Sequence, residues 1–194
     1  MKQYPCGRIE RLAKALTAEH VDPAVRAHIL EGGEIIAEDP RAESQARWFA
    51  ESMRRLESSL DPRTARAVRE RCACCLRGKR LELSRGIARD HETLEARIAA
   101  ANEAKLVFGS NVWLTGDGRV RVAFWPPEAQ GPFRCPCLRN VPEPLPIIYC
   151  YCCGGHVKHH LQKALGRQLE VTVCRSVLAS GGEESCEFEF AFVE

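Results

Sequence analysis

Near residue 105 the chain changes character, and that change constrains its fold more than any other feature. Up to that point alanine, leucine, glutamate and arginine dominate, while valine, threonine and aromatics are scarce. That composition favours helices. "RIERLAKAL" puts Ile9, Leu12, Ala13 and Leu16 on one face. "VDPAVRAHILEGG" has Asp22 as an N-cap, Pro23 at the first helical position and a glycine stop. Asp39-Pro40 opens a longer helix that carries Trp48, Phe49 and Met53 as core residues. Asp61-Pro62 opens another that runs to Gly78. "ELSRGIARDHETLEARIAAANEA" continues the helical half, with Ser84 or Asp90 as its start.

Beyond residue 105 the pattern has a period of two. "NVWLTGDGRVRVAFW" reads as a β-hairpin closed by a glycine turn, and the proline-rich stretch after it as an irregular connection. "IIYCYC" reads as a short apolar strand. "GGHVKHHLQKALG" is expected to be a helix from Gly154 that stops at Gly166. "QLEVTVCRSVLA" and "CEFEFAFVE" are expected to be strands on either side of a turn. The expected fold is α+β in a single domain over 1–194. A helical layer (1–105) packs on a mainly antiparallel sheet of about five strands crossed by one helix (106–194).

Charge narrows the function classes. The chain has 28 basic and 26 acidic residues in 194, a formal net charge of +2. No basic run is interleaved with aromatics, so nucleic acid is not an expected partner. No run of about 18 apolar residues occurs, and the first residues lack a signal-peptide core, so a cytoplasmic protein with no membrane span is expected.

Eleven cysteines stand out against that setting. In a reducing compartment they should be thiols, metal ligands or catalytic groups. They cluster as Cys72, Cys74 and Cys75, as Cys135 and Cys137, and as Cys150, Cys152 and Cys153. Cys6, Cys174 and Cys186 stand alone, and Cys6 and Cys174 read as packing residues. Cys72 and Cys75 have a spacing that reaches one ion from a helix or turn. The C-x-C pairs Cys135/Cys137 and Cys150/Cys152 could complete a set, Pro136 bending the first. Zinc takes four ligands at about 2.3 Å for sulfur, so a structural zinc is the expected cofactor, with an iron–sulfur cluster second. Disulfides between C-x-C pairs, or simple packing, are the other readings of these six. "RCACCLRGKR" is basic around its thiols, which favours a thiolate or an acidic ligand.

A second candidate site overlaps the last cluster. On the helix from Gly154, Cys153, His156 and His160 fall on one stripe beside the apolar face of Val157, Leu161, Ala164 and Leu165. Cys153 just before the helix start is placed for a stabilised thiolate, with His156 or His160 as its base. Gly154-Gly155 is either a place where a ligand approaches the backbone or a sharp corner.

The ending "GRQLEVTVCRSVLASGGEESCEFEF", with Gly181, Gly182, Cys186 and Phe188, resembles the close of vinyl-reductase-type small-molecule-binding domains. It is also similar to the close of the L-2-amino-thiazoline-4-carboxylic acid hydrolase family. The match covers residues 147–192, about a quarter of the chain. The resemblance implies a ligand pocket between helices and sheet. Some sensory relatives hold zinc through Glu-x-x-Cys and a cysteine eight residues on. Here Leu178 stands eight before Cys186, so that zinc site is not carried over. The expected function is a small-molecule-binding or sensor-like domain with a small organic ligand and a cysteine-held zinc. The alternatives are a thiol hydrolase built on Cys153, or a non-catalytic structural protein.

Overall fold

The computed structural model describes residues 7–38, 41–124, 135, 137–138 and 141–193. Asp39, Pro40, Cys6, Pro136 and much of the proline-rich connection lie outside the described residues. The helical half contains α1 (Gly7–Ala18), α2 (Pro23–Ile29), α3 (Gly33–Glu38), α4 (Ala42–Ser59), α5 (Pro62–Arg71), α6 (Lys79–Asp90), α7 (Leu94–Glu103) and α8 (Lys105–Phe108). Then come β1 (Asn111–Leu114), β2 (Val120–Ala123), α9 (Tyr151–Leu165), β3 (Leu169–Arg175) and β4 (Glu187–Phe192). The fold is α+β. The sheet has four strands among the described residues, in the order β1-β2-β4-β3, rather than about five. Every neighbouring pair is antiparallel.

The Asp-Pro starts work through hydrogen bonds. Asp22 accepts from the backbone N–H groups of Ala24 and Val25, and Asp61 from those of Arg63 and Thr64. These satisfy N–H groups that a helix start leaves open. Two boundaries differ from the pattern reading. The helix after Pro62 stops at Arg71, so the cysteines that follow lie in a turn, with Cys75 at φ +61° and Gly78 at φ +67°. The stretch from 79 to 103 is two helices, because Thr93 caps a new start by accepting from Ala96.

"IIYCYC" is a correction of type. Ile147–Cys150 forms a 3-10 turn that runs directly into α9. Ile148, Tyr149, Cys150 and Tyr151 are all buried. A run buried on every side has no periodicity to separate strand from helix. Pro146 supplies φ −52° ahead of the turn. The fifth expected strand is therefore the entrance to a helix.

The register aligns Val120 with Phe190, Val122 with Phe188, Val171 with Phe190 and Val173 with Phe188. These side chains share one buried face. Against it lies α9, whose other sides meet α5, α6 and α7. The core is one cluster that reaches from Ile9 to Phe190. On the outer sheet face, Arg121 pairs with Glu187 (2.6 Å) and Glu189 (2.8 Å), and Arg175 joins Glu187 at 2.5 Å. No helix among the described residues is long and apolar enough to cross a membrane.

Candidate functional site: a cavity of thiols and arginines

Gly154 and Gly155 make neither a corner nor an open approach for a ligand. Both lie inside α9 and are buried. A Cβ at Gly155 would sit 2.6 Å from the carbonyl oxygen of Glu70, and one at Gly154 would meet Val171 at 3.1 Å. Gly155 lets α9 lie directly on the α5 backbone, and Gly154 lets it lie close on Val171 and Phe188 of the sheet. Lys158 then pairs with Glu70 at 2.8 Å. This close crossing brings the first turn of α9 beside the end of α5 and the cysteine turn that follows.

A cavity of about 540 Å³ opens there. Its floor is α5 and α9, with Arg69, Cys72, Cys152 and Cys153. Its rim includes Arg8 and Arg11 from α1, Arg80 from α6, and Cys74 and Cys75 from the turn. Phe49, Val107, Phe124 and Tyr149 give it apolar walls, and Cys137 and His156 also face it. No carboxylate lines it among the described residues.

Arg69 is the unusual member. Only 2% of it is exposed. One Nη donates to the carbonyl of Tyr149 at 2.8 Å, and the guanidinium lies 4.7 Å from the centroid of the Tyr149 ring. Its Nε has no partner among the described residues. Burial opposes its charge, but the facing Cys72 and Cys152 sulfurs outweigh that and hold its pKa up. A buried cation without a counterion is expensive, by several kcal/mol. Arg8 anchors the rim by donating to the carbonyl of Cys137 and, at 3.2 Å, to Gln45.

The sequence-expected metal set is dispersed. Cys72 caps α5, buried, its thiol donating to the Val68 carbonyl at 3.3 Å. Cys75 is exposed in the turn. Cys150 points away from the cavity, to Ser176 Oγ at 2.8 Å, and burial pushes its thiol up to about 12. Cys135 is buried against Cys137. Cys137 lines the cavity together with Cys152 and Cys153. The six expected ligands are therefore spread over the cavity wall, the buried core and the exposed turn. Among the described residues no three Cys, His, Asp or Glu side chains are arranged to hold a metal ion. All ten described cysteines are free thiols.

The surroundings of these thiols set their charge states. Hydrogen bonds from Cys135 and then Cys153 lower the Cys137 thiol, and Arg8 and Arg11 add to the effect. The Cys153 contact and Arg69 bring Cys152 down to about 7. Cys153, which serves both neighbours, is pushed well up. The thiolate character therefore sits on the residues beside Cys153. Cys153 is also the third residue of α9, behind a 3-10 turn, rather than just ahead of a helix start.

The histidines are tied to the backbone. His156 has Nδ1 2.8 Å from the Cys74 carbonyl and Nε2 3.3 Å from that of Val107. Burial lowers its pKa, and a neutral ring can donate to only one of these two carbonyls. His160 is fully buried between Ser84 Oγ (3.0 Å) and the Cys75 carbonyl (3.1 Å), and it does not line the cavity. Burial lowers it to about 4. The expected stripe thus splits: Cys153 and His156 face the cavity, and His160 clamps the cysteine turn.

Sequence reasoning missed Arg69, Arg8, Arg11 and Tyr149. Arg69 did leave a signal. It shares a helical face with Ala65, Val68 and Cys72, all buried, where a lone charge has no ordinary reason to be. No curated protein and no solved structure matches this chain. A family model does match over residues 10–191, nearly the whole fold and all of the cavity but Arg8, and the chain belongs to the family of unknown function DUF6144.

Proposed function

We propose that this protein is a small-molecule-binding domain whose cavity takes an organic anion. The observation that carries this reading is Arg69, a buried guanidinium whose Nε has no partner, and whose cavity has no lining carboxylate, among the described residues. Arg8, Arg11 and Arg80 add positive charge at the rim. Cys137 and Cys152, the two lining thiols with lowered pKa, supply at most two negative charges against four guanidiniums. The volume suits a small organic molecule, and Phe49, Tyr149 and Phe124 suit an apolar or aromatic body. The free thiols fit a reducing, cytoplasmic setting.

The zinc of the sequence reading draws no support from this geometry, because the six cysteines do not converge. The thiol-hydrolase alternative draws no support from His156, whose ring nitrogens face the Cys74 and Val107 carbonyls rather than the Cys153 sulfur.

A thermal-shift panel of small organic anions, neutral analogues and cations tests the proposal. Anions should stabilise the protein selectively. At ten times its Kd a ligand adds about 1.4 kcal/mol, a rise of roughly 3–6 °C for a chain of this size. Arg69→Met should abolish that rise. Equal shifts from cations or neutral analogues would count against an anion site.

A further inference from the structure

We infer that the cavity takes a dicarboxylate, a ligand with one anionic group at each end of an apolar body, and that Arg69 and Arg80 hold those two ends. The inference rests on the anion-binding reading and names the class of anion.

The two arginines are anchored on opposite sides of the cavity. Arg69 is fixed at the side of the 3-10 turn, where it donates to the Tyr149 carbonyl at 2.8 Å. Phe49 closes that side, its ring 5.2 Å from the Tyr149 ring. Arg8 is held there too, donating to Gln45 at 3.2 Å, one turn before Phe49 on α4. Arg80 belongs instead to the first turn of α6. Its carbonyl accepts from Ser84 Oγ at 2.8 Å, and Ser84 Oγ lies 3.0 Å from His160 Nδ1. Tyr149 precedes α9, whereas His160 lies well inside it. Cys152 and His156 line the cavity from the stretch of α9 between those two anchors. Their spacing amounts to about 6 Å along the helix axis.

The wall that joins the two sides is apolar. Val107 is buried, and the Phe124 ring lies 5.1 Å from that of Phe188. No carboxylate stands on this wall among the described residues, so nothing of that kind answers either guanidinium from within the cavity. A monoanion would answer one side only. Two anions held apart by a hydrocarbon body answer both and lay the hydrocarbon against Val107 and Phe124. Guanidinium groups suit carboxylates because their forked donors match two oxygens. The two ends are unequal. Arg69 is buried and dominates affinity, whereas Arg80 is exposed at the mouth and adds a smaller, length-dependent gain.

Isothermal titration of the full chain with butanedioate, hexanedioate, octanedioate and decanedioate tests this. The monomethyl half-ester of each is the control, since it keeps the length and loses one charge. A diacid long enough to span the cavity should bind about tenfold tighter than its half-ester, the gain expected of one further hydrogen bond to a charged group. Butanedioate, too short to reach both sides, should show no such advantage. Arg80→Met should bring the best diacid down to the affinity of its half-ester. Arg85→Met removes the same charge from an exposed position of α6 that does not line the cavity, and should keep the advantage. Both substitutions are at exposed positions, and circular dichroism of each variant confirms the fold. Equal affinities of diacid and half-ester at every length would overturn this inference and leave the anion reading standing. An equal loss in both variants would also overturn it, because the gain would then come from the general field of the molecule. No binding by diacids or half-esters would defeat the anion reading and this inference with it.

Discussion

At Gly155 a single hydrogen atom keeps two helices in contact. Alanine would raise helix propensity by about 1 kcal/mol. Its Cβ, however, would lie 2.6 Å from the Glu70 carbonyl oxygen and 2.8 Å from its Cα, and backbone atoms cannot swing aside. Overpacking of this kind costs about 1–3 kcal/mol. Less the propensity gain, the net cost is up to about 2 kcal/mol, and Gly155→Ala should lower the melting temperature by up to roughly 8 °C. Gly86→Ala, in α6, should raise it, because that Cβ meets only side-chain tips at 3.7 Å. Calorimetric scans of the two variants check the opposite signs. His160 makes a pH prediction. Its pKa falls from 6.5 to about 4 on folding, because burial opposes the imidazolium. The unfolded chain then binds a proton that the native state refuses. The stability contributed by neutral His160 is complete above about pH 6.5 and is lost as pH falls toward 4. Urea midpoints should decline across that window, and His160→Gln should flatten the decline. A wild-type midpoint constant from pH 7 to 4 would contradict the burial argument.

The elements show which residues could be read without the structure. Asp22 and Asp61 announced their helices because a cap is a local hydrogen-bond motif, complete within four residues. The hairpin around Gly116–Gly118 was legible for the same reason, its alternation and its turn being adjacent in sequence. "IIYCYC" was not, because burial on all sides erases periodicity. Nor was the break at Thr93, which lies in a run of good helix formers and acts through one side-chain oxygen. Thr93→Ala should cost about 1 kcal/mol and fray the start of α7, which hydrogen exchange of the Ala96 amide would show as faster. An unchanged rate there would mean that packing, not the cap, separates α6 from α7. The cysteine turn depends on a longer reach. His156 and His160 hold the carbonyls of Cys74 and Cys75 from 82 and 85 residues away. Their spacing on α9 was visible, but the identity of their partners was not.

For the molecule as a whole, the composition switch near residue 105 correctly separated helices from sheet. The cavity was not visible at that level. It gathers Arg8, Arg69, Cys137 and Cys153 from four stretches of chain, and no spacing rule connects them. Cysteine clustering pointed to the right neighbourhood, yet it could not say that Cys150 turns to Ser176 while Cys153 lines the cavity. The anion site is centred on Arg69, which is buried in a cavity with no lining carboxylate among the described residues. Crystals of the protein soaked in bromide and measured at the bromine absorption edge address it directly. The account predicts an anomalous peak inside the cavity within hydrogen-bonding reach of Arg69 Nε, and its loss in Arg69→Met. Bromide confined to surface arginines, with none in the cavity, would contradict it.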